Sequence, residues 1–222
     1  MRKALLAGLV SCGVLMSMLI SAPASARVTI PVPPPSDHIV IELVTVNGTG
    51  CPPGSAAVAT SPDNTAFTVT YSLYTALVGI GSTPTGWRKN CQLNVLVHVP
   101  QGFTYAVSSV DYRGFASLAP GAVASQRANY YFQGQPQTSQ IIHPIASPAD
   151  DFWERTDNVD LAALVWAPCG VQRNLNINTE LRVQAGTSNP ATTTSFLTMD
   201  STDGEIDTTY HFSWATCPGT RR

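Results

Sequence analysis

The 222-residue sequence predicts an all-β fold, an antiparallel β-sandwich of about eight to ten strands, jelly-roll or immunoglobulin-like, stapled by two disulfides. Three observations carry that reading. Apolar residues recur with period two in segment after segment, as a half-buried strand requires. No segment sustains the 3.6-residue period of a helix, and only residues 157–166 allow a turn or two. Four cysteines follow the N-terminal leader, an even count in a chain addressed to an oxidising compartment.

The first element is that leader. Arg2 and Lys3 form a basic start, Ala4 to Ile20 is apolar, and Ala24-Ser25-Ala26 supplies a small-x-small cleavage site. Cleavage is expected after Ala26. Leu9-Val10-Ser11-Cys12 loosely resembles a lipoprotein box, but few residues precede Cys12 and the apolar run continues past it. The run is short for the ~20 residues of a spanning helix, and no second one follows. The chain therefore reads as secreted, without a membrane span, and as a monomer. Residues 27–37, with Pro31 and Pro33 to Pro35, read as an extended tether or as the approach to the first strand. Residues 38–222 read as one β-sandwich domain.

Within that domain the strands announce themselves by alternation. Phe67, Val69, Tyr71 and Leu73 alternate with Thr68, Thr70 and Ser72. Leu93, Val95, Val97 and Val99 alternate with Asn94, Leu96 and His98, and Pro100 ends the run. Leu175, Ile177, Leu181 and Val183 alternate with polar Asn174, Asn176, Asn178, Glu180, Arg182 and Gln184. Each run offers one face to a core and one to water. Phe103, Tyr105 and Val107 change phase to Val110 and Tyr112 across Ser108-Ser109, the sign of a β-bulge or a bend. At the end, Asp203-Gly204 predicts a two-residue hairpin turn. It would set Leu197 opposite Tyr210 and Met199 opposite Thr208, with Leu197, Met199, Ile206, Tyr210, Phe212 and Trp214 on one core face.

Composition narrows the function classes. Charged residues make up 12% of the chain, against about 25% in ordinary soluble domains. The 16 Gly and 17 Pro are scattered rather than gathered in a tract, which argues against collagen, coiled coil or a disordered charged tail. Without Arg2 and Lys3, ten basic residues face fourteen acidic ones, a charge of about −4. With no basic cluster, nucleic acid and anionic lipid are not expected partners.

The mature cysteines are Cys51, Cys91, Cys169 and Cys217, and three pairings are open to them. Trp166-Ala167-Pro168-Cys169 and Trp214-Ala215-Thr216-Cys217 are near copies, each ending a strand, which favours Cys169–Cys217 and hence Cys51–Cys91. Their spacing matches no metal motif, and His38, His98, His143 and His211 are scattered, so neither a metal nor another cofactor is expected.

Several strings, in this order, resemble one family: Cys51-Pro52-Pro53-Gly54-Ser55, Arg88 to Val95 (RKNCQLNV), Gln101-Gly102-Phe103, Val110-Asp111-Tyr112-Arg113-Gly114, Tyr130-Tyr131-Phe132 and Asp200-Ser201-Thr202-Asp203-Gly204. It is a family of secreted bacterial and fungal proteins known as a domain of unknown function, number 4360. The resemblance covers nearly the whole mature chain and implies a single secreted β-rich domain. It brings no reaction, substrate or catalytic residue.

Chemistry must then come from the residues. No G-x-S-x-G elbow is present, and His98 and His211 fall on polar strand faces without an evident partner, so no catalytic residue is assigned. Glycoside hydrolysis needs two carboxylates about 5–9.5 Å apart, and sequence brings no pair of Glu42, Glu154, Glu180 and Glu205 together. Asp150 to Asp157 (DDFWERTD) is the densest mix of acid and aromatic. It reads as a loop with solvated charges and Trp153 tucked inward, or else as a loop presenting Trp153 to a sugar ring. It lacks the order of a calcium loop, as does the segment from Asp200 to Asp207. Asp111 and Arg113 share one strand face and read as a charge pair or as a recognition patch with Tyr130 or Tyr131. Asn47-Gly48-Thr49 is a glycosylation sequon in a turn.

The candidate ligand face is therefore Trp153, Asp111, Arg113 and Tyr131, with Trp87 a further aromatic. The expected function is a non-catalytic binding or surface-interaction module for an extracellular polysaccharide or cell-surface component. Two alternatives stand beside it. A hydrolase of extracellular polymer would need a cleft with converging acids. An inhibitor or effector that binds a host protein would need a rigid exposed loop such as Gly79 to Lys89.

Overall fold

The computed structural model describes residues 30–136, 140–160, 163–199 and 207–219. The leader, and the Asp203-Gly204 turn with Ile206, lie outside the described residues. Twelve strands follow in order: β1 (Val40–Asn47), β2 (Ala56–Thr60), β3 (Ala66–Tyr71), β4 (Thr75–Gly79), β5 (Arg88–His98), β6 (Phe103–Leu118), β7 (Val123–Phe132), β8 (Ile141–Ile145), β9 (Ala149–Asn158), β10 (Leu175–Gln184), β11 (Thr194–Thr198) and β12 (Thr208–Thr216). No helix occurs among the described residues. Two antiparallel sheets form, a five-stranded one in the order β1-β5-β10-β7-β8 and a seven-stranded one built from β2-β3-β12-β6-β11-β4, with β9 on β6. The two strands beyond the predicted range reflect weak signals: β8 contains Pro144, and β9 is the acidic segment read above as a loop.

The alternating runs make the core. Leu93, Val95 and Val97 of β5 and Leu175, Ile177, Leu181 and Val183 of β10 are all buried, facing Phe67, Val69, Tyr105, Tyr210, Phe212 and Trp214 from the other sheet. Tyr105 meets Phe132 edge-on across the interface, with ring centroids 5.4 Å apart. Leu73 departs from its run: β3 ends at Tyr71, and Leu73 is exposed.

The final strands pair differently from the predicted hairpin. Leu197, Met199, Tyr210, Phe212 and Trp214 are buried on one face as the alternation requires, but β11 and β12 do not pair with each other. β12 pairs with residues 103–112 of β6 and β11 with residues 115–117, while β9 pairs with residues 109–118. β9 overlaps both partners, so β11 and β12 must follow one another along the opposite edge of β6. Periodicity fixes which face is buried, whereas a sixteen-residue β6 decides the partners. The expected bulge is present: His211 opposes Ser109 and Phe212 opposes Val107, leaving Ser108 unpaired.

The Pro-rich segment is an approach rather than a free tether. Val32 bridges to Trp214, and Asn64, at φ 58°, donates its amide to the carbonyls of Pro35 and Asp37, both at 2.9 Å. The bridges join Cys51 to Cys91 and Cys169 to Cys217.

Gly114 shows how tightly β6 is held. A Cβ there would stand 2.2 Å from the Thr198 carbonyl oxygen and 2.4 Å from the Trp153 ring. Gly114→Ala is expected to cost about 1–3 kcal/mol by overpacking, read as a lower urea midpoint at unchanged slope.

Candidate functional site

The Ser108 bulge sets the phase of β6, so that Asp111, Arg113 and Phe115 point to the outer face of the seven-stranded sheet. β9 lies in register beside them, with Thr156 opposite Asp111, Glu154 opposite Arg113 and Phe152 opposite Phe115. On the other flank β12 supplies His211, β11 supplies Phe196, and β4 sets Leu77 opposite Phe196. Asp111 accepts from Thr156 Oγ1 at 2.6 Å and from His211 Nε2 at 2.7 Å. Partial burial pushes the Asp111 carboxyl up, but the Thr156 and His211 hydrogen bonds outweigh it and hold it below the ordinary carboxylate value. Arg113 reaches Glu154 at 3.5 Å, both side chains more than half exposed.

Next to these polar pairs lies an apolar strip. Phe115 meets Phe152 edge-on at 5.3 Å and Phe196 in a stack at 6.0 Å. Phe152 is 57% exposed. With Leu77 the strip crosses four strands, on the order of 14 Å at the usual strand spacing. Sequence reading missed the three phenylalanines because they lie on three different strands. The one signal was that each occupies the polar parity of its run.

The four sequence-predicted ligand residues do not form one face. Asp111 and Arg113 stand together as described. Trp153 is 6% exposed, on the inward parity of β9 against Gly114, which is the tucked-in placement expected first for that segment. Its neighbour Phe152 takes the outward position. Tyr131 is half-buried on β7 of the other sheet, opposite Asn176. Trp87 is half-buried near Arg182, whose guanidinium carbon is 6.0 Å from its ring centre. The Gly79 to Lys89 loop is tied by turns, with Gly86 N–H donating to the Thr83 carbonyl at 2.9 Å.

The acidic segment is likewise a strand, not a loop, and Asp157 is its buried end. Asp157 is 4% exposed and accepts from Tyr112 at 3.1 Å, from Tyr130 at 2.9 Å and from His143 Nε2 at 2.6 Å. Burial, then the adjacent Asp157 charge, holds the Tyr130 phenol well above its usual range, so it serves as a donor.

In a nucleophilic triad the imidazole stands between acid and hydroxyl. Here Thr156 and His211 both bond to Asp111, and the two tyrosines and His143 all bond to Asp157. A pocket of about 270 Å³ between residues 97–105 and 167–173 contains no acid or histidine. Among the described residues no three His, Cys, Asp or Glu side chains gather as metal ligands, and no helix is long and apolar enough to cross a membrane.

The family described as "Domain of unknown function (DUF4360)" matches residues 37–217. An "Uncharacterized secreted protein" of Arthroderma benhamiae is 36% identical over 184 residues, covering 83% of this chain and 74% of its own. That relative and the two disulfides mark the protein as secreted. Among solved structures, the enzymatically active domain of tailspike protein 4 from bacteriophage CBA120 aligns at 11% identity and a TM-score of 0.26, over 78% of this chain and 19% of that one. A GH31 alpha-xylosidase from Xanthomonas citri aligns at 7% and 0.17, over 81% and 20%. The chain spans about a fifth of those two structures, and likenesses this low carry no argument about fold or function.

Proposed function

The chain belongs to the DUF4360 family of domains of unknown function, and on that premise we propose that it is a secreted, non-catalytic module binding an extracellular or cell-wall polysaccharide through the outer face of its seven-stranded sheet. The observation that carries the reading is the strip of Phe152, Phe115 and Phe196 beside the Arg113–Glu154 and Asp111–His211 pairs. Rings supply apolar platforms for the C–H faces of sugars, and the flanking ionic groups can donate to and accept from hydroxyls. Because all of them stand on strands, little ordering entropy is lost on binding. In this reading residues 1–26 are a cleaved leader, residues 38–222 one domain, and the working unit a monomer without cofactor.

The alternative hydrolase reading is weakened by the partners that two of the described acids already hold. Asp157 is enclosed by two tyrosines and a histidine, and Asp111 is shared by Thr156 and His211.

The test is depletion of the purified mature protein by insoluble cellulose, chitin or native cell wall. Saturable loss onto one of them is expected, with Phe152→Ala weakening it about tenfold or more while the melting temperature barely moves. Phe152 is largely exposed, so its truncation leaves the core intact. No depletion by any of the three, or depletion untouched in a Phe152→Ala/Phe115→Ala double variant, would refute the proposal.

A further inference from the structure

A second assembly lies on the other side of the sandwich, on the outer face of the five-stranded sheet. Register places Glu180 of β10 opposite Asn90 of β5 and Arg127 of β7, and Arg182 opposite Arg88. Three guanidiniums therefore converge on one carboxylate. Arg88 and Arg182 bond Glu180 directly, and Arg127 stands 3.9 Å from it. Glu180 is 7% exposed, yet the side chains of Arg88, Arg182 and Arg127 are 48%, 31% and 24% exposed.

The arithmetic of charge is one-sided. One carboxylate offers about four acceptor sites to fifteen guanidinium N–H donors, and among the described residues the three arginines share Glu180 as their one carboxylate partner, an excess of two positive charges. The other described acid on the strands of this sheet is Glu42, opposite Leu96 and engaged with His98. Leu96 is eight residues from Arg88 along β5, on the order of 26 Å. A concentrated positive site in a chain of net charge −2 is not explained by the stability of one ion pair. Guanidiniums fixed by a buried acid are instead a preorganised receptor for a second oxyanion, which each can meet in a bidentate fork.

The rest of the face indicates what carries that anion. From the arginines the strands continue as a flat row of amides, with Asn94 donating to Asn176 at 2.8 Å, Asn178 between them and the cluster, and Tyr131 opposite Asn176. Trp87 borders the arginine end beside Arg182. Amides that both donate and accept, with an aromatic at either end, match the hydroxyls and ring faces of a sugar chain. We infer that Arg88, Arg127 and Arg182 around Glu180 form a binding site for an acidic polysaccharide, taking its carboxylate or sulfate groups, on a face separate from the phenylalanine strip.

The experiment is affinity electrophoresis of the full mature protein through gels containing polygalacturonate, dextran sulfate, neutral dextran or poly-glutamate. Retardation is expected with one or both acidic polysaccharides, falling steeply with salt and absent with neutral dextran. The polygalacturonate and dextran sulfate arms separate carboxylate from sulfate. Arg127→Gln should weaken retardation about tenfold, the scale of one lost charged hydrogen bond. Glu180→Gln should strengthen it several-fold by removing the competing internal anion while keeping the side chain's shape. No retardation on either acidic polysaccharide, retardation unchanged in both variants, or equal retardation by poly-glutamate overturns the inference. Arg127→Gln should leave depletion by insoluble cellulose or chitin unchanged, so failure here and failure of the phenylalanine-face reading are told apart.

Discussion

Replacing Asp157 with alanine is expected to destabilise the protein by about 3–5 kcal/mol, the range found when one partner of a buried charged network is removed. Three groups depend on that carboxylate. The Tyr112 and Tyr130 hydroxyls both point at Oδ2, and His143 Nε2 contacts Oδ1 at 2.6 Å. A carboxylate can only accept, so His143 must place its proton on Nε2. In the alanine variant two buried phenols and an imidazole lose their acceptor, each at a desolvation cost of about 1–3 kcal/mol. The network also spans the molecule: Tyr130 comes from the five-stranded sheet, Tyr112 from the seven-stranded one, and β8 and β9 supply His143 and Asp157. Its loss loosens the two sheets where β8 and β9 close one side. Asp157→Asn separates charge from shape. One amide oxygen still serves both phenols, while the NH₂ turns toward His143 and forces the other tautomer. An intermediate loss, roughly half that of alanine, is therefore expected in urea unfolding monitored by tryptophan fluorescence. A loss under 1 kcal/mol for Asp157→Ala would mean that the phenols find other acceptors.

That cluster marks the boundary of what sequence could tell. The strands with strict alternation, β3, β5, β10 and β12, were legible because one face is buried and the other wet. The Ser108 bulge was legible because it shifts the phase of that alternation. β9 was not, since its inward positions carry Trp153, Arg155 and Asp157, and two charged residues at core parity look like a loop. The partners of β11 and β12 were hidden for a different reason: alternation specifies a face, and only the length of β6 specifies a neighbour. The functional faces were least visible. Asp111 and Arg113 are two apart in one strand and could be paired from sequence. By contrast, Phe115 and Phe196, or Glu180 and its arginines, are brought together by strand register, which no local pattern encodes.

The two disulfides should respond differently to reductant, and the difference follows from where they sit. In the chain-entropy picture they are near equals, closing loops of 40 and 48 residues, each worth about 4 kcal/mol. Burial separates them. Cys51 and Cys91 are both fully buried, with Cys91 inside β5. Cys169 is exposed in the β9–β10 connection and Cys217 is half-buried just past β12. A thiolate must reach a sulfur to exchange with it, so access sets the rate. Mild reductant on the native protein is expected to open Cys169–Cys217 first. Alkylation and mass spectrometry should then find two modified cysteines in a chain that keeps its sheet signal but melts lower. A stability drop of about 2–4 kcal/mol is expected for this species. It arises because the connection through Trp166 and Ala167 is then held to β6 chiefly by two hydrogen bonds, Ala167 N–H to the Tyr105 carbonyl and Thr104 Oγ1 to the Ala167 carbonyl. Cys51–Cys91 should resist until the sandwich itself opens, so four modified cysteines should appear only with global unfolding. Simultaneous modification of all four in a still-folded chain would show that the β1–β5 end of the core opens locally, and that the sheets there are held by the covalent bridge rather than by packing.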